Sequence, residues 1–192
     1  MTAVSQQARE RATSVVRSWL DDAAGAEPVT GAHGQRVVVE YELGARPGEF
    51  VVQLPGERKL RTAVSLLVGD HSLSVSAFVV RNPDEEHERV YRWMLRRNTR
   101  LRQVAFGVDA SGDVYLTGRL PLQGVCAETV DELLGEVLSV ADGSFDELLA
   151  LGFLSAMRKE WHWRVRRGEP TRNLDAFRHL LDVPEEQAPE ES

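Results

Sequence analysis

Several residue types are scarce or absent in this sequence. Isoleucine does not occur among the 192 residues, and lysine supplies only two of the 23 basic residues, so that 21 are arginine. Isoleucine and lysine have AT-rich codons whereas arginine has GC-rich ones, and the bias indicates a GC-rich bacterial genome. Because the bias originates in codons, the arginine excess is not by itself a sign of function.

Only one cysteine, Cys126, is present, which excludes an intramolecular disulfide and any cysteine-based metal site. Long apolar runs are also missing, since none approaches the roughly 18–20 residues that cross a bilayer. The N-terminal segment 1–12 lacks the basic and then apolar pattern of a signal peptide. We therefore expect a protein that is made and kept in the cytoplasm and that has no membrane partner.

Motifs of catalysis and cofactor binding are absent as well. The sequence contains no phosphate-binding glycine loop, no dinucleotide fingerprint, no HExxH and no GxSxG. Its five histidines are scattered without the spacing of metal ligands. We therefore predict no catalytic, cofactor-binding or metal-binding residues, and we expect a protein that is not an enzyme and holds no cofactor.

The composition is that of an ordinary globular chain, with 42% hydrophobic and 28% charged residues. The formal net charge is −7, but four glutamates lie in the last eight residues, and the rest of the chain holds 26 acids against 23 bases. A nearly balanced body disfavours a globally basic nucleic-acid binder, so we do not expect a nucleic-acid partner. A local basic patch is still compatible with these counts.

The hydrophobic pattern changes period along the chain. Residues 5–23 have helical spacing, whereas residues 37–80 alternate with period two between glycine and proline turns, which predicts four strands at about 37–41, 50–54, 60–68 and 73–79. A helix is predicted to start at Asn82 as N-cap and to run to about Leu101. Alternation over 104–108 and 114–120 then predicts a second hairpin, with a plain turn at Asp109–Asp113.

The remainder is predicted to be helical. A regular 3–4 apolar repeat from Val130 to Ala141 predicts a helix, for which Thr129 and Glu132 are a candidate capping box and a slightly earlier start is the alternative. Asp142-Gly143 is predicted to end that helix. A second capping box, Ser144 and Glu147, would start the next helix, with Gly152 as a candidate interruption. A short helix over about 173–181 precedes the acidic tail. The order predicts an α+β fold, a mainly antiparallel sheet interrupted by a helix, with helices packed on one face.

Five segments carry a resemblance to a known family: PGERKL (55–60), RNPDE (81–85), YRWMLRRN (91–98), AFGVD (105–109) and DVYLTGRLP (113–121). In this order and spacing they resemble the actinobacterial branch of the YbjN family of bacterial sensory transduction regulators, over roughly residues 5–181. The resemblance implies a fold similar to type III secretion chaperones, a dimer or a protein partner, and a peptide-binding surface. It supplies no catalytic residue.

The same resemblance suggests a division of the chain. Residues 1–154 are expected to form the YbjN-like α+β domain, and residues 155–183 a C-terminal helical extension found only in the actinobacterial branch. The acidic residues 184–192 are expected to be a disordered tail.

One segment combines aromatic and basic residues in a way that is compatible with structural packing, with a protein contact and with nucleic-acid binding. The candidate partner-binding residues are Trp161, Trp163, Arg164, Arg166 and Arg167. On one helix Trp161 and Trp163 point about 200° apart, so we expect one of them to pack inward and the other against the last helix or a partner. Tryptophan and arginine are common at protein hot spots and also in single-stranded nucleic-acid sites.

Cys126 precedes a helix and is open to two interpretations. A helix N-terminus can lower the pKa of a thiol, which would suit a redox sensor, but a small residue at an N-cap position is the simpler explanation. The arginines from Arg89 to Arg102 are interpreted as a solvated face with i,i+4 pairs to Glu85 and Glu88.

Three functions are compatible with these observations. The first is a non-enzymatic regulatory or adaptor protein, dimeric or bound to a protein partner. The second is a nucleic-acid-associated regulator that uses the segment from Arg164 to Arg167 and binds less tightly as salt rises. The third is an enzyme with an unrecognised site, which requires a deep pocket with converging polar groups.

Overall fold

The structure is a computed structural model that describes residues 3–27, 29–30, 36–37, 39–171, 174 and 177–181. The predicted disordered tail, 184–192, lies outside these residues. The helices are α1 Ala3–Gly25, α2 His87–Asn98, α3 Ala127–Gly152, α4 Leu154–Arg167 and α5 Arg178–Leu181. The strands are β1 Val29–Thr30, β2 Arg36–Val37, β3 Glu40–Leu43, β4 Glu49–Pro55, β5 Arg61–Val68, β6 Ser72–Val80, β7 Val104–Val108 and β8 Val114–Pro121.

Six strands form one antiparallel sheet with the order β3-β4-β5-β6-β8-β7, while β1 and β2 pair separately. Strands β3 to β6 form a meander. Helix α2 connects β6 to β7, which lies at the edge of the sheet, and β8 then pairs between β7 and β6. A bulge near the end of β6 shifts the register between Phe78 and Val80. This arrangement confirms the predicted sheet interrupted by a helix.

Alternation along the strands gives the sheet one buried face. On β5, Val64, Leu66 and Val68 are buried, and equivalent positions on β4, β6 and β8 are buried with them. Helices α1 and α3 contact each other and this face, with buried α3 residues at helical spacing from Val130 to Leu148. The predicted α+β class, with helices on one face, is therefore confirmed.

Two strand predictions need correction. The run 37–41 was predicted to be one strand, but Val37 pairs in the small sheet and Tyr41 in the large one. The strand predicted over 60–68 included Leu60, which lies before β5 and is 73% exposed. Hydrophobicity alone placed Leu60 in the strand, whereas the backbone of 56–59 turns and is fixed by Asp142, which accepts the backbone N–H groups of Arg58 and Lys59 at 2.9 Å.

The start of α2 also differs from the prediction. The helix begins at His87, and its N-cap is Glu86, which has a positive φ of 54°, so Asn82 is not the N-cap. The intervening residues are held by tertiary contacts instead, since the N–H groups of Asp84 and Glu85 donate to the carbonyl of Gly152 at 2.9 and 3.2 Å. Backbone donors satisfied this way do not need a helical turn.

The predicted break at Asp142-Gly143 is wrong, because α3 continues through it to Gly152. Asp142 gains the two hydrogen bonds from the loop described above, and this tertiary anchor outweighs the cost of about 1 kcal/mol for a glycine inside a helix. The capping box of Ser144 and Glu147 is therefore also wrong. The interruption at Gly152 is confirmed, since α4 starts two residues later.

Ser144 gives rise to a stability prediction. Its hydroxyl is fully buried on α3 and has no hydrogen-bond partner among the described residues. Ser144→Ala should therefore raise the free energy of unfolding by up to about 1 kcal/mol, because a buried hydroxyl without a partner is costly. Ser155→Ala is the matched control: its hydroxyl donates to Glu85 at 2.6 Å, and its removal should lower stability. Urea unfolding of both variants checks the two signs, and a destabilised Ser144→Ala would contradict the prediction.

The C-terminal helices form a second, smaller apolar cluster. It consists of Met157, Trp161, Leu174, Phe177 and Leu181, which are all buried. The Arg158 Nε donates to the carbonyl of Leu180 at 3.2 Å. The segment after α4 therefore packs back onto α4 of its own chain.

Candidate functional site

The two tryptophans of the predicted partner-binding segment have opposite environments. Trp161 is 6% exposed and lies in the small cluster, where Arg178 stacks over its ring at 5.9 Å. Trp163 is 44% exposed. The two side chains thus leave α4 on different sides, as their spacing requires.

The three arginines of the segment also differ in their environments. Arg164 pairs with Glu160 at 2.6 Å and donates to the Pro170 carbonyl at 2.9 Å, so it is engaged in closing the end of α4. Arg166 and Arg167 are exposed. Arg167 lies over the Trp163 ring, 4.8 Å from its centroid, in a cation–π contact.

These exposed residues share one side of α4. Lys159, Trp163, Arg166 and Arg167 stand at positions i, i+4, i+7 and i+8, which fall on one helical face. This set is called the Trp163 surface below. It places a large aromatic ring among three cations, and the nearby Glu169 lies 4.0 Å from Arg167. Such a combination can contact an aromatic or apolar group and an acidic group at the same time.

A cavity of about 520 Å³ lies between the end of β6, the last turns of α3, and α4. Its walls are mainly apolar, and among the residues that line it are Phe78, Phe145, Leu149, Phe153, Met157 and Phe177. The polar residues at its wall are Lys59, Arg81 and Glu160. Sequence reasoning missed this cavity, because its lining comes from segments far apart in the chain.

Lys59 has an unusual environment at this cavity. Its Nζ donates to the carbonyls of Phe78 at 2.5 Å and Val79 at 3.0 Å, which the bulge in β6 presents to it, and it lies over the Phe78 ring. Burial lowers the pKa of the Lys59 ammonium to about 8, against the opposing effect of the Asp142 charge. The amine is therefore mostly protonated at neutral pH.

The other face of the sheet is lined by small hydroxyl residues. Ser65, Ser76 and Thr117 lie side by side in register across β5, β6 and β8. They line a shallow depression of about 660 Å³, with Arg46 and Arg119 beside them. Leu67 lies among these hydroxyl groups, so this part of the sheet surface is mixed polar and apolar.

Glu49 connects two residues that line this depression, Arg46 and Ser65. Its carboxylate accepts hydrogen bonds from Arg46 at 2.6 Å and from the Ser65 hydroxyl at 2.7 Å, and these lower its pKa to about 2. Since the folded pKa lies below the usual value of 4.5, Glu49 stabilises the fold above pH 4.5, and this contribution is lost as pH falls through 2.

The pH dependence of Glu49→Gln should show this loss. Between pH 5 and about 2 the melting temperature of the wild type should fall more steeply than that of Glu49→Gln, because the variant has no carboxylate to protonate. Glu42→Gln, an exposed position on the edge strand β3, serves as the matched control. Calorimetry at stepwise pH measures the slopes, and identical slopes for wild type and Glu49→Gln would rule out the linkage.

The remaining sequence candidates have structural roles. Cys126 is the N-cap of α3 and forms a capping box with Thr129, as the simpler interpretation of Cys126 predicted, so the helix starts earlier than the candidate capping box of Thr129 and Glu132. The turn of Asp109–Asp113 is a plain hairpin turn, with Gly112 at a φ of 84°. On α2, Arg92 pairs with Glu88 as predicted, whereas Arg89 pairs with Glu86 and not with Glu85. Across the described parts of the chain, no group of three or more His, Cys, Asp or Glu is placed to hold a metal ion.

Fold and site together define a class of protein: a small α+β protein with one antiparallel sheet, helices on one of its faces, and a basic aromatic surface on a C-terminal helix. No described helix is long and apolar enough to cross a membrane. The sequence model of the YbjN family, "Putative bacterial sensory transduction regulator", matches residues 14–150. The chain therefore belongs to the YbjN family, which confirms the resemblance seen in the sequence.

Relatives of the chain occur in mycobacteria. It is 53% identical over 137 residues to the uncharacterized protein Rv0487 of Mycobacterium tuberculosis, covering 71% of this chain and 75% of that protein. It is 52% identical over 133 residues to the uncharacterized protein ML2442 of Mycobacterium leprae, covering 69% and 72%.

A chain in the crystal structure of the ExsC–ExsE complex is similar in part. The TM-score is 0.42 at 20% sequence identity, with 71% of this chain and 95% of that chain covered. A likeness of this extent is too weak to assign a partner or an assembly to the present chain.

Proposed function

We propose that this protein is a cytoplasmic, non-enzymatic regulatory adaptor that binds an acidic segment of a protein partner through the Trp163 surface. The observation that carries the proposal is the exposed Trp163 ring with Arg167 stacked on it and Lys159 and Arg166 on the same face. Membership of a family described as sensory transduction regulators supports a regulatory role.

The distribution of exposed apolar residues favours this surface over others. Among the described residues, the large exposed hydrophobic side chains are Leu43, Leu60, Leu95, Val108, Trp163 and Val165, and Trp163 is the only aromatic one. An exposed tryptophan costs free energy in water unless a partner covers it. Three cations around it would attract carboxylates and would set the orientation of the partner.

The location of the surface is consistent with a role for the C-terminal extension. The sequence match to the YbjN family ends at residue 150, and the Trp163 surface lies after it, on α4. We propose that residues 1–154 form the α+β domain, and that the extension 155–183 adds the partner-binding surface to it. Trp161 would then hold α4 in place while Trp163 makes the contact.

Affinity purification from the lysate of the source organism tests the proposal. The wild-type protein, after nuclease treatment, should retain one stoichiometric protein that is lost from Trp163→Ala and from the double variant Arg166→Glu/Arg167→Glu. The double variant Leu95→Ala/Arg96→Glu, which changes an exposed leucine and its neighbouring arginine on α2, is the matched control and should retain it.

Two outcomes would contradict the proposal. If all variants retained the same protein, the binding surface would lie elsewhere. If nuclease removed every bound protein, the nucleic-acid hypothesis would replace the adaptor, and binding should then weaken steeply with salt.

A further inference from the structure

We propose that the cavity between the end of β6, α3 and α4 is a binding site for a medium-chain aliphatic carboxylate. The alkyl chain would lie against the apolar wall, and the carboxylate would face Lys59. This site is separate from the Trp163 surface, and the proposal does not depend on the adaptor function.

The size and lining of the cavity fit a small amphipathic molecule. Its volume of about 520 Å³ lies within the roughly 300–1,000 Å³ typical of small-molecule sites. Phenylalanine, leucine and methionine side chains from four separate segments form the wall, among them Phe78, Phe145, Phe153, Met157 and Phe177. Such a wall favours an alkyl chain, because apolar burial is its main source of binding energy.

The charges at the cavity favour an acidic head group. Arg81 is paired with Asp84 through two hydrogen bonds of 2.5 and 2.6 Å, and Glu160 is paired with Arg164 at 2.6 Å. Lys59 is different, since no carboxylate oxygen of the described residues lies within 4.0 Å of its Nζ. Two of its three N–H groups donate to backbone carbonyls, which leaves one donor and the positive charge.

A bound carboxylate would complete the environment of Lys59. A half-buried ammonium without a paired anion bears a desolvation cost that an anion in the cavity would offset. The Asp142 charge acts on the Lys59 ammonium, but its Oδ1 accepts the backbone N–H groups of Arg58 and Lys59, both at 2.9 Å. A neutral or cationic head group would gain none of this interaction.

Binding of decanoate, decanol and decylammonium to the full-length protein, each followed by NMR of a ¹³C label at carbon 1 of the ligand, tests the proposal. Decanoate should bind saturably and at least about tenfold more tightly than decanol, because only the acid makes a charge-assisted hydrogen bond. Decylammonium should bind more weakly than decanol. Equal affinity for decanoate and decanol would overturn the assignment of an acid site, and absence of saturable binding would overturn the site itself.

Variants at Ala156 locate the site without touching the core, because this exposed α4 residue lines the cavity. Ala156→Trp should obstruct the cavity and reduce the affinity for both ligands by about tenfold or more. Ala156→Glu should weaken decanoate but not decanol, whereas Ala156→Gln, the matched control, should bind both ligands as the wild type does. Unchanged decanoate binding by Ala156→Trp, or equal effects of the Glu and Gln substitutions, would contradict the proposal.

A cavity that serves instead as a pocket for an apolar side chain of a protein partner would show no preference for the acid.

Discussion

Trp161→Ala should destabilise the packing of α4 against the C-terminal segment by about 3–5 kcal/mol, the usual cost of removing a buried tryptophan. Its indole is 6% exposed and contacts a cluster that also contains Met157, Phe177 and Leu181. That cluster is small and separate from the main core. Removing the indole would therefore leave the remaining side chains of the cluster with few contacts. We expect α4 and α5 to open locally while the sheet stays folded.

Hydrogen exchange measured by mass spectrometry checks this result at the level of single segments. In Trp161→Ala the amides of 154–181 should exchange much faster, and those of β4 to β6 should change little. Trp163→Ala is the matched control on the same helix, and its stability should differ from wild type by no more than about 0.5 kcal/mol. A Trp163→Ala variant as unstable as Trp161→Ala would show that Trp163 has a structural role and would remove the basis of the proposed surface.

Gly152→Val should lower the free energy of unfolding by about 2–3 kcal/mol because it overpacks a tight contact. A Cβ at this buried position would come within 2.8 Å of the Pro83 side chain and 3.4 Å of Val90. The carbonyl of Gly152 also accepts the N–H groups of Asp84 and Glu85, so any shift that relieves the clash weakens two hydrogen bonds. The junction of α3 and α4 is thus fixed by the segment that leads into α2.

Gly143→Ala is the matched control in the same helix. A Cβ at Gly143 meets no described atom within 4 Å, so alanine should raise stability by about 0.5–1 kcal/mol through its better helix propensity. Chemical denaturation of both variants compares the two signs. A destabilised Gly143→Ala would contradict the continuous course of α3 through Asp142-Gly143, and an unchanged Gly152→Val would contradict the packing of Pro83.

The parts of the fold that the sequence predicted correctly are those where a local pattern agrees with the final packing. Val64, Leu66 and Val68 alternate along β5, and the same residues fill the buried face of the sheet. The 3–4 repeat of Val130 to Ala141 likewise lies on the side of α3 that contacts the sheet. In these segments the period of the side chains determines which face is buried.

The errors occurred where a distant residue decides the local structure. Asp142 stays helical because the loop before β5 donates two hydrogen bonds to it, and no local feature of Asp142-Gly143 reveals this. The start of α2 is displaced to His87 because Gly152 binds the preceding backbone. Asn82 and Ser144 favour the start of a helix locally, but these tertiary contacts outweigh that preference.

The candidate site was predictable only in part. Helical geometry requires Trp161 and Trp163 to point apart, but it does not say which of them is buried. That choice depends on Leu174 and Phe177, which pack against Trp161 from the following segment. Arg164 could not be distinguished from Arg166 and Arg167 before its pairing with Glu160 was known. The cavity beside Lys59 was beyond sequence reasoning, because its lining converges from separate segments.

The central claim is that the exposed face of α4 contacts a protein, and photo-cross-linking in cells tests it most directly. A photoreactive phenylalanine analogue would replace Lys159, which lies one turn before Trp163 on the same face of α4, and in a second strain it would replace Leu95 on α2. We expect one protein adduct from position 159, resistant to nuclease, and none from position 95. Cross-links to nucleic acid, or the same adducts from both positions, would contradict it.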